Sequence, residues 1–253
     1  GLKANFWLEG GISPDTGGAG FENGGMDFKR RSTVGLSGNF GEVRLGRELT
    51  AAYNATSRYD VMGQAGYGSS QLWGKDRESR VSNAITYISN NYNGFAFGVN
   101  YGFGEDEKVN NDGTTGKYSN SASRYLGAGL TYDNGPISLG LGLERQNKGA
   151  SPQSFDLDEP ALGGVTTTAW SLGGSYNFGV AKLTAAYRRA TEKNDNLGSF
   201  DDIKFKLQGF LVGVSAPVGT AGEIRATYNN YRAKLDEAGA PTLKANQFAV
   251  GYV

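Results

Sequence analysis

The sequence of 253 residues contains no cysteine and no histidine. The lack of cysteine excludes a disulfide framework, and the two absences together remove the usual ligands of a zinc site. They also exclude catalysis by Ser-His-Asp or Cys-His arrangements, because no imidazole is present to act as the base. Paired carboxylates could still act as catalytic acids, but no spacing in the sequence points to such a pair. We therefore expect no cofactor, no metal site and no enzymatic activity.

The sequence also lacks an excess of charge and any long apolar run. The net formal charge is zero, so the charge balance does not suggest a nucleic-acid partner. No stretch of about 18 apolar residues is present, and we expect no transmembrane helix. The mean hydropathy of −0.45 would ordinarily describe a soluble protein. That inference fails for a membrane barrel, in which only alternate strand residues face lipid and polar loops lower the mean.

What the sequence does contain is a repeated alternation of side chains. The stretch "ISLGLGLER", residues 137–145, has an aliphatic residue at each odd position from Ile137 to Leu143 and small or polar residues between them. Successive side chains of an extended chain point to opposite faces, so this period of two predicts a strand. The pattern recurs in about twelve segments. Several of them reach the roughly nine to eleven residues that a tilted strand needs to cross a membrane.

The connections between these strands are alternately short and long. Five are short and carry turn residues, such as "NNYNG" at 90–94 and "DNGP" at 133–136, and long polar stretches separate them. Short turns at one end and long loops at the other are typical of outer-membrane barrels, whereas a soluble sandwich has water at both ends. We therefore predict an all-β, transmembrane antiparallel up-and-down β-barrel, a single domain over residues 1–253. In it Leu139 faces lipid and Gly140 faces the lumen.

The longest connection covers residues 49–79. Loops longer than about 15 residues are uncommon in compact folds and are usually functional or disordered. A loop folded into the barrel would narrow the channel and place opposed charges across a small aperture. A surface loop with solvated charges is the alternative at this point.

Charged residues flank that loop. In "FKRRSTVGL" strict alternation sends Arg30 and Arg31 to opposite faces. An arginine that faces lipid at mid-membrane costs roughly 2–4 kcal/mol, so one of the two should lie in the lumen, near an interface or against another subunit. Arg80 shares the parity of Ala84 and is predicted to be lumenal, as Glu9 is in its own strand. Ordinary charges at strand ends are the alternative interpretation.

Several stretches resemble the general diffusion porins of Gram-negative outer membranes. They are "GLKANFWLEGG", "FKRRSTVGLSGNFGEVRLGRE", "YDNGPISLGLGL", "GGSYNFGVAKL" and "QFAVGYV". The likeness runs the whole length and is closest to the branch from beta-proteobacteria, which tends to favour anions. It implies a sixteen-stranded barrel, a homotrimer, and an integral place in the outer membrane with contacts to its lipid and lipopolysaccharide. It also implies that residues 49–79 fold inward as the constriction loop.

The position of this loop bears on completeness. The constriction loop of the family follows the fifth strand, whereas residues 49–79 follow the third predicted strand here. The sequence also starts directly in a strand pattern, without methionine or signal peptide. We therefore interpret the chain as an internal fragment of a porin, with two strands missing at each end. A smaller barrel closed at twelve strands is the alternative, since its strand number is even.

The resemblance also implies site residues. Position by position it places the basic constriction cluster on Arg30 and Arg80, and it prefers Arg30 to Arg31 as the inward residue, although alternation would choose Arg31. It matches Glu9 to an acidic position across the lumen. Asp60 is only a loose acidic candidate, because the Pro-Glu-Phe-Gly-Gly-like motif of other porins is absent. The implied function is passive diffusion of small hydrophilic solutes and ions, with a mild preference for anions such as organic acids or phosphate.

Two other functions stay open, an outer-membrane barrel enzyme and a structural or adhesive barrel whose lumen is plugged. Several predicted inward positions are glycine, which favours open space inside, although such a face could equally accommodate a plug. These positions are Gly98, Gly140, Gly142 and Gly173. Permeation of a dye or sugar would separate a plugged barrel from a porin.

One acidic stretch suggests a cation site. "SFDLDEP" contains Asp156, Asp158 and Glu159, whose carboxylates could bind calcium as hard oxygen ligands. The stretch matches no complete calcium-loop pattern. Solvated loop acids are therefore the preferred interpretation.

Overall fold

A computed structural model describes residues 1–13, 15, 18, 28–104, 107–109, 115–118, 124–148, 165–194, 204–237 and 239–253. These residues form fourteen strands, one short α-helix and two 3₁₀ helices. In chain order the elements are β1 (Lys3–Glu9), β2 (Arg31–Gly38), β3 (Gly41–Leu49), α1 (Ala51–Thr56), the 3₁₀ helices Ser57–Tyr59 and Ser70–Asp76, β4 (Arg80–Ile88), β5 (Phe95–Gly102), β6 (Glu107–Val109), β7 (Thr115–Tyr118), β8 (Tyr125–Asn134), β9 (Ile137–Lys148), β10 (Val165–Asn177), β11 (Lys182–Asn194), β12 (Lys204–Val218), β13 (Gly222–Leu235) and β14 (Thr242–Tyr252). No helix within the described ranges is long and apolar enough to cross a membrane.

Twelve strands form one antiparallel sheet, in which each strand pairs with its neighbour along the chain. This confirms the predicted up-and-down order and strand number. The other two strands, β6 and β7, pair as a separate hairpin in a stretch predicted to be a polar loop. Within the described part of the chain β1 and β14 are the edges of the sheet, and no ladder joins them. The alternative of a barrel closed at twelve strands therefore gains no support from the strand pairing.

The short turns lie where the sequence predicts them, at the hairpins that follow β2, β4, β8, β10 and β12. In the β4–β5 turn Asn93 has a φ of 52° and Gly94 a φ of 95°. These are the positive values that tight hairpins require and that asparagine and glycine tolerate. All long connections consequently lie at the opposite end of the sheet, which is called the loop-bearing end below.

The two faces of the sheet differ as the alternation predicts. On β9, Leu139 is 50% exposed and points away from the rest of the protein. A side chain at Gly140 or Gly142, on the other face, would collide with the backbone of α1. The aliphatic face therefore points outward and the glycine face inward, the orientation predicted for Leu139 and Gly140.

The connection between β3 and β4 crosses this inner face. Helix α1 packs against β8 and β9, and the 3₁₀ helix Ser70–Asp76 reaches β12 and β13. A Cβ atom on Gly173 would overlap the ring of Tyr59, and one on Gly209 would lie 2.7 Å from the indole of Trp73. The expectation that inward glycines indicate open space is therefore wrong at Gly140, Gly142 and Gly173. They leave room for the connection itself.

Candidate functional site

A cleft of about 310 Å³ lies between α1 and the inner face of β1 to β5 and β8. Its charged lining consists of Glu9, Arg30, Arg31, Arg44, Glu48 and Arg80, and α1 contributes Ala51, Asn54 and Ala55 from the facing side. Four arginines and two glutamates amount to a formal charge of +2 for this lining. A net positive charge in a narrow cleft with low-dielectric walls concentrates a positive potential there.

Arg30 and Glu9 form one rim of the cleft. The Nε of Arg30 donates to Oε1 of Glu9 at 2.5 Å, and the backbone N–H of Arg30 donates to the carbonyl of Glu9 at 3.2 Å. The side chains are 45% and 38% exposed. Water screens an ion pair of this exposure, so the pair contributes little stability and both groups remain available to solutes.

Arg31 lines the same cleft from the first position of β2. It lies opposite Glu9 in the register and on the inward face of β2 with buried Thr33. Its guanidinium lies 4.6 Å from the centre of the Trp7 ring and 3.6 Å from Oε2 of Glu48. Arg30 precedes the strand, so alternation does not govern its direction. The structure consequently brings both arginines to the cleft.

Arg80 reaches the cleft for a different reason from the one predicted. Strand β4 carries one residue more than β3 across a bulge, where Asn83 has a φ of 49°. A bulge of this kind reverses the faces of the residues on one side of it. Val81, which is 6% exposed, therefore shares the inward face of Ala84, and the parity argument for Arg80 is wrong. Arg80 still lines the cleft because it begins the strand, where its Nε donates to the carbonyl of Arg30 at 2.8 Å.

Three charged residues of β3 were missed by the sequence reasoning. Glu48 is only 5% exposed and accepts a hydrogen bond from Arg44 at 3.0 Å. Arg44 donates a second bond to Glu42 at 2.7 Å. In "GEVRLGRE" these residues stand at alternate positions, so the parity rule applied to Arg30 and Arg31 could have found them. Glu48 partly neutralises Arg44 and Arg31, so the arginines of the cleft differ in how much of their charge is compensated.

Asp60 does not line the cleft. Its buried carboxylate accepts hydrogen bonds from the backbone N–H and the hydroxyl of Ser70, both at 2.7 Å, and from the backbone N–H of Met62 at 3.0 Å. These bonds close a turn inside the connection between β3 and β4. The calcium candidates Asp156, Asp158 and Glu159 lie outside the described residues.

Polar contacts fix the connection to the inner wall at three places. Arg58 donates to both oxygens of Asp133 at 2.7 and 3.0 Å, the hydroxyls of Tyr59 and Ser138 lie 3.0 Å apart, and the indole N–H of Trp73 donates to Asn229 at 2.7 Å. Burial raises the pKa of Tyr59, which keeps its hydroxyl protonated. The connection is therefore held against strands that lie far apart in the sheet.

The start of α1 is fixed in the same way. The side chain of Thr50 accepts from the backbone N–H of Tyr53 at 3.2 Å and caps the helix. The side-chain oxygen of Asn100, which is fully buried, accepts from the backbone N–H of Ala51. The amide of Asn100 in turn donates to Thr86 at 2.6 Å. These bonds hold α1 at a defined distance from the arginines across the cleft.

A second set of charged residues lies between the connection and the strands behind it. Arg188 contacts Glu144 at 2.5 Å, and both side chains are almost fully buried. Tyr125 donates to the other oxygen of Glu144 at 3.0 Å. Arg77, within the connection, donates to Ser70 at 3.1 Å. Burial lowers the pKa of Arg77, and the neighbouring charge of Arg188 acts in the same direction.

A model of the family described as Gram-negative porin matches residues 1–253. The chain is 39% identical to outer membrane porin protein 32 of Delftia acidovorans over 261 residues, which cover 100% of this chain and 66% of that protein. A solved structure, the anion-selective porin from Comamonas acidovorans, is 37% identical with a TM-score of 0.78, and the match covers 100% of this chain and 69% of that one. The trimer form of OmpT from Vibrio cholerae is 16% identical with a TM-score of 0.68, over 92% of this chain and 67% of that one.

These similarities agree with the sheet order. The match to OmpT, at low identity, supports the fold alone. The two matches above 35% identity extend over every residue of this chain. The matches span 66% and 69% of the length of two curated relatives. It belongs to the Gram-negative porin family.

Proposed function

We propose that the protein is a passive diffusion channel of the Gram-negative outer membrane for small hydrophilic solutes and ions, with a mild preference for anions. The cleft carries this proposal, because four arginines and two glutamates line a narrow space between the wall and α1. A fixed positive potential at such a place raises the local concentration of anions and lowers that of cations. Transport needs neither a reaction nor a conformational change. The name of the Comamonas structure, an anion-selective porin, supports the same preference.

The proposal assigns the constriction to the connection over residues 49–79. Its support is the set of contacts that hold α1 opposite the arginines, from the Thr50 cap to the bond between Trp73 and Asn229. The homotrimer implied by the family resemblance is part of the proposal. Native mass spectrometry of the full-length protein in detergent would test that assembly.

The decisive measurement is the zero-current potential across a planar bilayer that contains the full-length protein under a KCl gradient. We expect stepwise conductance and a potential of the sign that indicates anion selectivity. In the double variant Arg30→Ser/Arg80→Ser the anion preference should fall several-fold, because two of the four cleft arginines are removed. Arg145→Ser/Arg189→Ser is the matched control, since both of these arginines are exposed on the outward face.

The outcomes separate the parts of the proposal. Unchanged selectivity in Arg30→Ser/Arg80→Ser would remove both residues from the mechanism. Cation-selective steps from the unchanged protein would keep the channel and refute the assignment of charge. Absence of conductance from correctly folded protein would favour the plugged barrel.

A further inference from the structure

Trp7 is a large aromatic side chain on the inner face of the sheet, beside the cleft. It lies directly opposite Thr33 in the register of β1 and β2, and Thr33 is buried on the inward face. The next inward residue of β1 toward the loop-bearing end is Glu9, which lines the cleft. Although Trp7 points inward, its side chain is 54% exposed, since Thr33 is too small to cover an indole. An open indole on the wall of a channel is a surface against which another ring can stack.

Arg31 lies beside this indole, and its N–H donors are poorly matched by the protein. The carboxylate of Glu48 lies 3.6 Å from its guanidinium, which is an ionic contact but too long for a good hydrogen bond. The Nε of Arg31 is buried and has no acceptor among the described residues. Arg44, in contrast, donates to two carboxylates at 2.7 and 3.0 Å. Arg31 therefore brings to the cleft a positive charge whose donors an external anion could satisfy.

Trp7 and Arg31 are close enough for one small molecule to contact both. The guanidinium carbon of Arg31 lies 4.6 Å from the centre of the Trp7 ring. A guanidinium presents its N–H groups as a planar fork that matches the two oxygens of a carboxylate. A ring attached to that carboxylate would lie against the indole, and aromatic pairs interact favourably when their ring centres are about 4.5 to 7 Å apart. A saturated ring of the same size fills a similar volume but has no π system.

We propose that Trp7 and Arg31 form a binding site for aromatic carboxylates on the inner wall and distinguish them from saturated acids of equal charge. The inference rests on the proposed function, because it names a class of solutes for the same channel. Arg31 donates hydrogen bonds to the carboxylate, and Trp7 stacks against the ring. The site adds recognition of shape to a cleft whose arginines otherwise select solutes by charge alone.

The test compares how benzoate and cyclohexanecarboxylate reduce the single-channel KCl current of the full-length protein in a planar bilayer at neutral pH, where both acids are ionised. We expect benzoate to halve the current at about one fifth of the concentration that cyclohexanecarboxylate requires, as one aromatic pair would provide. In Trp7→Leu the two concentrations should become equal, whereas Trp7→Phe should keep most of the difference. Trp170→Leu is the matched control, because Trp170 lies on the outward face beside Tyr187, and it should keep the full difference.

Arg31→Gln tests the second contact. Loss of the guanidinium should raise the half-blocking concentrations of both acids about tenfold, while benzoate stays the better blocker. Arg31→Lys keeps the positive charge but lacks the planar fork, so it should recover only part of this loss. A role of Arg31 in folding alone would change the melting temperature and leave both half-blocking concentrations as they are.

Three results would overturn the proposal. They are equal half-blocking concentrations of the two acids in the unchanged protein, a difference that persists in Trp7→Leu, and unchanged block of Arg31→Gln by both acids. A channel that conducts with anion selectivity but does not distinguish the acids refutes this site alone. Folded protein without conductance refutes the channel, and the same acids and variants are then compared by saturation-transfer NMR in detergent, where the same three results would overturn the site.

Discussion

In the proposed channel, replacing Glu48 by Gln should strengthen the preference for anions. The carboxylate of Glu48 accepts a hydrogen bond from Arg44 at 3.0 Å and lies 3.6 Å from Arg31. Glutamine keeps the size of the side chain and an oxygen acceptor, so both arginines can stay in place. The substitution removes one negative charge from the lining, whose formal charge rises from +2, four arginines and two glutamates, to +3.

The size of the effect follows from the Coulomb energy of a passing ion. At about 7 Å in water one added charge changes this energy by about 0.6 kcal/mol, and screening at 0.1 M salt reduces the change to about 0.3 kcal/mol. The anion concentration at the cleft then rises about 1.7-fold and the cation concentration falls by about the same factor. The anion-to-cation permeability ratio should therefore increase about threefold. Low-dielectric walls would increase it further.

The assay is the zero-current potential of the full-length protein in a planar bilayer with KCl near 0.1 M. The same comparison near 1 M should show little difference between variant and unchanged protein, because the Debye length shrinks to about 3 Å. Glu223→Gln is the control, since Glu223 pairs with Arg225 at the turn-bearing end of β13. A permeability ratio that stays constant or falls in Glu48→Gln at low salt would refute the reasoning.

The contacts that hold the connection between β3 and β4 against the inner wall allow two further predictions. Trp73→Ala removes the hydrogen bond to Asn229 and leaves a cavity where the indole packs against Gly209. We therefore expect a higher single-channel conductance. We also expect a loss of about 3 kcal/mol in the free energy of unfolding, measured by denaturant titration. Unaltered conductance would show that this anchor does not set the aperture. Gly173→Val should displace Tyr59 and lower the thermal stability. Gly174→Val, on the outward face, meets the flexible end of Leu139 and the carbonyl of Ser138 at an ordinary contact distance of 3.6 Å, and it should be tolerated. Equal melting temperatures for the two valine variants would contradict the packing.

Much of the fold could be predicted from the sequence because strand faces repeat every second residue and hairpin turns need particular residues. The alternation in "ISLGLGLER" and the Asn-Gly turn at Asn93 are local signals, and the structure follows both. The bulge at Asn83 has no comparable signal. Because β4 has one additional residue there, Val81 lies on the inward face, whereas strict alternation would place Arg80 there. Parity is therefore reliable within a strand only up to its first irregularity.

Helix α1 could not be predicted in this way. Its six residues, "AAYNAT", are too few to show a helical period. The helix depends on the Thr50 cap and on Asn100, which lies 49 positions from the backbone N–H it binds. Trp73 and Asn229 are 156 positions apart and meet only after the sheet has assembled. Contacts of this range leave no pattern in a single sequence.

The effective charge of the cleft also depends on contacts that form only in the folded protein. Counting arginines in the flanking stretches would overstate the positive potential, because buried Glu48 compensates part of Arg31 and Arg44. Arg30 is paired as well, but its contact with Glu9 is exposed to water and therefore weakly compensating. A carboxylate removed from water interacts more strongly with its partners than an exposed one. Selectivity in this channel should consequently depend more on which arginines have a buried carboxylate beside them than on how many arginines the cleft contains.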